Sequence, residues 1–274
     1  MQGDTENLAG KTGGILARLR KERPLVHNIT NYVVMNFTAN ALLAIGASPV
    51  MAHALEEVEE MVSMAGALVL NIGTLSHEWI QSMLMAGNRA GKQDIPVVLD
   101  PVGAGATSLR TRTAREIVRQ GWVSLIRGNA SEIMSLGPDI VQTKGVDATH
   151  SVQEAEQSAL ALARELETIV AITGPTDVVT DGRRIFRVQN GHPLMGRITG
   201  TGCAASALCA AFSAVEQDML YAAVSALAFF GLAGERAGEK ANVPGSFHVA
   251  LLDALYLLTS EELTAQARIE EVYV

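Results

Sequence analysis

Short apolar runs alternate along this chain with segments whose apolar residues recur every three or four positions. The runs at residues 25–29, 49–52, 67–72, 96–100, 123–127, 169–173, 177–180 and 184–189 predict strands. Segments 33–45, 55–64, 77–91, 111–120 and 152–165 predict amphipathic helices between them. "PVVLD" (96–100) and "IVAIT" (169–173) are almost wholly apolar, as a parallel strand covered on both faces reads. Repetition of strand, helix and strand implies right-handed crossovers and an α/β sandwich. "DGR" (181–183) between the last two strand runs is a hairpin signal, so the parallel sheet is expected to end in an antiparallel pair. From about 201 to 263 the pattern is helical only. Segments 198–215 and 219–234 carry no charge and are dense in small residues. They read as two adjacent helices buried inside a large domain, the second being short for a membrane span. No linker, repeat or low-complexity stretch divides the chain, and one domain over residues 1–274 is expected.

Composition narrows the partners. Hydrophobic residues make up 48% and aromatics 4% of the 274 residues, so aliphatic side chains must fill the core. A net charge of -8 disfavours nucleic acid and anionic membrane as partners while permitting a locally basic pocket for a small anion. The two cysteines, Cys203 and Cys209, lie six apart on an expected helix and face different ways, which argues against a disulfide. The polar N-terminal stretch has no apolar core of a secretory signal, and a cytoplasmic location is expected. No histidine–cysteine spacing suits structural zinc, and no P-loop or G-x-S-x-G elbow occurs.

Four stretches are candidates for chemistry. "GTGCAA" (200–205) fits the letters of a dinucleotide fingerprint but not its context, since only helices follow. Its physics is broader: Gly200, Thr201 and Gly202 open a helix whose free amides and dipole form an anion cradle. Cys203, in the first turn, reads either as a small buried hydrophobe or as a thiol whose pKa the terminus lowers and which receives or orients a hydroxyl proton. "LDPVGAGAT" (99–107) places Asp100 at a strand's carboxyl end, where a water-clad Mg²⁺ can sit. "IRGNASEI" (126–133) offers Arg127 as a fork for phosphate, with Asn129 and Glu132 three apart; its other reading is a helix start with Ser131 capping. "VHNITNYVVMNFTAN" (26–40) presents His27, Asn28, Thr30 and Asn31 at a strand end, where polar groups can read a small ligand. His27 by itself reads first as a core histidine, and Met51, expected on a strand, reads first as a core methionine and otherwise as a soft apolar wall.

As an ordered set, "HNITNYVV", "GASPVMA", "LVLNIGTL", "LDPVGAGAT", "IRGNASEI", "AITGPTDVV" and "TGTGCAASAL" resemble the hydroxyethylthiazole kinases of the ribokinase-like superfamily. Other ribokinase-like enzymes usually carry Asp where Cys203 stands; the thiazole kinases usually carry Cys. The resemblance implies a three-layer α/β/α sandwich with a mostly parallel sheet and a helical C-terminal block. It implies ATP-dependent phosphorylation of the hydroxyl of 4-methyl-5-(2-hydroxyethyl)thiazole in thiamine salvage, with Mg²⁺, in a homotrimer with interfacial active sites. Carried over by position, Cys203 is catalytic. Met51, Gly200 and Asn28 border the thiazole alcohol, Arg127 and Thr173 contact ATP, and Gly200, Thr201 and Gly202 form the anion hole. Asp100 and Glu132 hold Mg²⁺ through water with Asn129 in support. The rivals are a kinase for hydroxymethylpyrimidine or pyridoxal, an ADP/ATP-dependent NAD(P)H-hydrate dehydratase, and a non-catalytic sensor.

Overall fold

The computed structural model describes residues 2–137 and 152–272. In chain order these form α1 (Gln2–Glu22), β1 (Leu25–Ile29), α2 (Met35–Ile45), β2 (Ser48–Val50), α3 (Val58–Ser63), β3 (Ala67–Asn71), α4 (His77–Gly91), β4 (Val97–Asp100) and α5 (Ser108–Arg119). There follow β5 (Leu125–Gly128), α6 (Ala130–Met134), α7 (Val152–Leu166), β6 (Ile169–Ile172), β7 (Asp177–Thr180) and β8 (Ile185–Val188). A short 3₁₀ turn (Pro193–Arg197) leads to α8 (Thr201–Ser213), α9 (Met219–Lys240), α10 (Pro244–Leu257), α11 (Ser260–Gln266) and β9 (Ile269–Val272). The strands make one sheet in the order β2-β1-β3-β4-β5-β6-β7-β8-β9. Pairing is parallel from β2 to β6 and antiparallel from β6 to β9, so the hairpin at Asp181–Arg183 falls where "DGR" places it.

Side chains alternate across the sheet, and the two faces feed two cores. Val26, Ala67, Val69, Val98, Leu125 and Ala171 face a core shared with α1, α2, α8, α9 and α10. Ile29, Leu68, Leu70, Val97, Leu99, Ile126, Val170 and Ile172 face a second, under α3, α4, α5 and α7. This is the three-layer sandwich. The charge-free segments are buried helices: α8 is covered over ten consecutive residues from Ala204 to Ser213, and Phe212 on α8 meets Phe229 on α9. Fully burying such a ring is worth roughly 2–3 kcal/mol. Among the described residues, no helix is long and apolar enough to cross a membrane.

Three local expectations are corrected. β2 ends at Val50, so Met51 lies just past the strand and half-buried; the next carbonyl, of Ala52, is taken by His27 Nε2–H at 2.8 Å. α6 is capped by Asn129, not Ser131: Asn129 Oδ1 accepts from Glu132 N, and Glu132 Oε2 accepts from Asn129 N, closing a capping box. α1 and β9 add a helix and an edge strand that the hydrophobic pattern does not announce.

Candidate active site

Strand parity assembles the site. Asn71, Asp100 and Arg127 occupy the alternate positions after Val69, Val98 and Leu125, and Thr173 follows Ala171 in the same way. All four therefore stand at the carboxyl ends of β3, β4, β5 and β6 on the face that α8 covers. Hydrogen bonds link them. Asn71 Nδ2 donates to Asp100 Oδ2 at 2.9 Å, and Ser206 Oγ on α8 donates to the same oxygen at 2.9 Å. Arg127 Nη1 lies 3.8 Å from Asp100 Oδ2, while Arg127 Nη2 donates to Thr173 Oγ1. In the other direction Asn31 Nδ2 donates to Asn71 Oδ1 at 2.8 Å and to Cys203 Sγ at 3.5 Å. Gly73 N also donates to Asn71 Oδ1, at 3.0 Å, and so fixes which way that amide points. One polar chain thus runs Cys203–Asn31–Asn71–Asp100–Arg127–Thr173 beneath the start of α8.

Above it stands the glycine turn. Gly200 caps α8 with φ +91°, a left-handed conformation, and a Cβ there would meet Val34 and Phe37 at 3.1–3.2 Å. The first helical bond is Ala204 N to Gly200 O at 2.8 Å, which leaves the amides of Thr201, Gly202 and Cys203 ahead of it at the positive end of the dipole. A Cβ on Gly202 would come within 2.9 Å of Arg127 Nη1, so the guanidinium rests directly on the turn. A cleft of about 640 Å³ opens beside it, lined by Arg127, Thr173, Gly174, Thr201 and Gly202 at one part and by Asn190, His192, Met195, Leu227 and Phe230 elsewhere.

The electrostatics overturn one expectation. The Cys203 thiol is pushed up to about 12, because burial and then the Asp100 charge outweigh the side-chain hydrogen bonds of Asn71 and Asn31 and the Arg127 charge. The lowering expected of this thiol is not found, and the sulfur is a protonated thiol at neutral pH. Asp100 is buried and pushed up to about 6 by desolvation, against the pull of Arg127; its Oδ1 has no hydrogen-bond partner among the described residues. Glu132 accepts from Gly103 N (2.8 Å) as well as from Asn129 N (2.9 Å), so it ties the Gly-Ala-Gly loop after β4 to α6.

The structure brings Arg127, Thr173, Thr201 and Gly202 to the cleft and joins Asp100 and Cys203 to them through the polar chain. Asn28 is buried on the same sheet face, but its Nδ2 turns back to Val26 O. Met51 has no polar link to the chain, and His27 is a neutral core histidine, its pKa lowered by burial. Asn71 and Ser206 are the members that sequence reasoning missed. Asn71→Leu is expected to cost about 2–4 kcal/mol, since Gly73 N and Asn31 Nδ2 lose an acceptor and Asp100 a donor. A urea midpoint equal to wild type would contradict that.

Three comparisons bear on this geometry. The model of the "Hydroxyethylthiazole kinase family" matches residues 16–261. The hydroxyethylthiazole kinase of Desulfotalea psychrophila is 62% identical over 93% of this chain and 94% of its own length. The solved hydroxyethylthiazole kinase protein from Pyrococcus horikoshii OT3 superposes with TM-score 0.88 at 50% identity, covering 95% of this chain and 98% of that one. A pyridoxal kinase from Staphylococcus aureus shares the fold at TM-score 0.60 and 16% identity, over 92% of this chain and 99% of that one.

Proposed function

This chain belongs to the hydroxyethylthiazole kinase family, and on that premise we propose how its site transfers a phosphoryl group. The enzyme is a phosphotransferase that phosphorylates the hydroxyl of 4-methyl-5-(2-hydroxyethyl)thiazole, with ATP as co-substrate, in thiamine salvage. ATP occupies the cleft with its phosphates toward Arg127, Thr173 and the Gly200–Gly202 turn. The carrying observation is the junction of Arg127 with Gly202: a cation and a helix's free amides converge at the mouth of a 640 Å³ cleft.

The alcohol oxygen attacks the γ-phosphorus, the bond to the β-bridging oxygen breaks, and ADP leaves with that oxygen. Such transfer needs positioning and charge stabilisation more than a strong base. The amides of Thr201, Gly202 and Cys203, with Arg127, hold the charge of the moving group. Gly200 borders the acceptor, and Met51 and Asn28 complete the thiazole pocket, Met51 from a neighbouring subunit. Cys203 steers the hydroxyl as a neutral thiol fixed by Asn31, and the proton departs late, to solvent or phosphate oxygen. The unpartnered, buried Asp100 Oδ1 suits a water of a hydrated cation, with Glu132 and Asn129 across the loop. Asp100 and Glu132, with Asn129 in support, would hold Mg²⁺ there through water, and the ion would supply charge neutralisation for the phosphates.

We further propose a cytoplasmic homotrimer, supported by the exposed apolar side chains of Leu43 on α2 and Val249, Tyr256 and Leu257 on α10. Light scattering at a three-chain mass supports it; a monomer at micromolar concentration opposes it.

Because the thiol sits near 12, kcat is expected to stay flat from about pH 7 to 10; an ionising thiol base would instead give a rise with pH. Cys203→Ser should stay within about tenfold of wild type. The reading as a whole is tested by ADP release from Mg-ATP with the thiazole alcohol, hydroxymethylpyrimidine, pyridoxal and hydrated NADH in parallel. Preference for the thiazole is the expected result; preference for any other acceptor selects that rival.

A further inference from the structure

The wall of the cleft at Asn190, Gly191 and His192 is held from behind by a charged fork. Glu235, on the outer half of α9, accepts from Gly191 N through Oε1 at 2.8 Å. Arg268, one residue before β9, grips the same carboxylate with Nη2 on Oε1 at 2.5 Å and Nη1 on Oε2 at 3.1 Å. Arg268 Nη2 also donates to Gln189 O at 2.7 Å, and its backbone N donates to Asn190 Oδ1 at 2.7 Å. The buried Asn190 sends Nδ2 to Gln266 O at 3.2 Å and lies 3.4 Å from both Glu235 oxygens. Where the chain leaves β8 and becomes cleft wall, every polar partner just named comes from α9 or the C-terminal segment.

We infer that the Glu235–Arg268 fork is a positioning clamp for nucleotide: it fixes the Asn190–His192 backbone against which the nucleoside part of ATP rests. The inference rests on assigning the cleft to ATP. A paired guanidinium and carboxylate is directional, so it sets the orientation of what it holds. The pair is also open to solvent, with 50% of the Arg268 and 22% of the Glu235 side chain exposed. Such pairs add little to global stability. Its loss therefore registers at the wall it shapes, and the edge strand β9 becomes part of the nucleotide site without touching nucleotide.

Steady-state kinetics of Glu235→Gln, Arg268→Met and the double variant test this. Gln keeps the acceptor for Gly191 N but loses the ionic fork. The KM for ATP is expected to rise about tenfold in each, with kcat and the KM for the alcohol within about twofold of wild type. The double variant should be no worse than the poorer single one, because both remove one device. Arg268→Lys should recover only part of the loss, since it restores charge without the fork. Unchanged KM for ATP in the folded variants overturns the clamp, as does a parallel rise in both KM values with a fall in kcat, which marks general loosening. A wild-type enzyme whose transfer does not saturate with ATP removes the assignment beneath it, and the clamp with it.

Discussion

Gly202→Ala should produce a protein that still folds and is slower by about 10³ in kcat/KM. Ala is the better helix former by about 1 kcal/mol, which offsets part of the cost of seating the methyl. The added methyl, however, would stand 2.9 Å from Arg127 Nη1 and 3.3 Å from Nη2. The guanidinium is tied to Thr173 and lies beside Asp100, so it cannot yield without breaking the polar chain. The methyl also projects where the proposed cradle would hold the phosphoryl charge. Gly202 is a cleaner probe than Gly200, where φ +91° would strain any side chain and confound folding with catalysis. Thermal melting with steady-state kinetics on one sample checks the pair of expectations. Wild-type turnover in the Ala variant would detach the cradle from the reaction.

Asp100→Asn is the second. Turnover should fall about 10³-fold while stability at pH 7, measured without divalent metal, does not fall. The sign follows from the direction of the shift. The folded carboxyl sits near 6, above its ordinary value of 3.8, so the folded state binds the proton more tightly than the unfolded chain. Its contribution to stability is full below about pH 4 and is lost as pH rises through about 6, amounting to roughly 3 kcal/mol by pH 7. An amide of the same shape can accept from Asn71 and Ser206 without the cost of burying charge. Loss of the Arg127 pair offsets part of the gain. The stability difference between the proteins should therefore shrink or reverse toward pH 4. A variant with wild-type turnover, or one that is less stable at pH 7 than at pH 4 relative to wild type, contradicts this account.

Much of this architecture is legible because parallel strands covered on both faces must be apolar along nearly their whole length, as "IVAIT" and "PVVLD" are up to their last residue. The absence of charge similarly marks α8 and the inner part of α9. What escapes is what tertiary packing supplies. β9 reads "IEEV", two carboxylates on a half-exposed edge, and only pairing with β8 makes it a strand. α1 contains Gly10, Gly13 and Gly14, which blur the helical period; packing on α11 and α9 carries it. At the site, Arg127, Thr173, Asp100 and the glycines stand out as polar or small residues ending apolar runs. Asn71 has the same signature, an amide closing "ALVLN" on the same parity as Ala67 and Val69, and strand alternation would have found it. Ser206 does not: among alanines it reads as helix filler, and only its bond to Asp100 gives it a role. The thiol of Cys203 shows the deeper limit. A helix terminus is visible in sequence, whereas the depth of burial is not, and burial, followed by the nearby carboxylate of Asp100, sets its protonation.

The account stands on phosphoryl charge gathering at the mouth of α8. A crystal structure with a non-hydrolysable ATP analogue and the thiazole alcohol tests this most directly. The terminal phosphate is expected within hydrogen-bonding reach of the Gly202 and Cys203 amides and of Arg127, with the hydroxyl beside Cys203 Sγ. Phosphates lying away from Arg127 and the glycine turn, or an alcohol bound remote from Cys203, would contradict it.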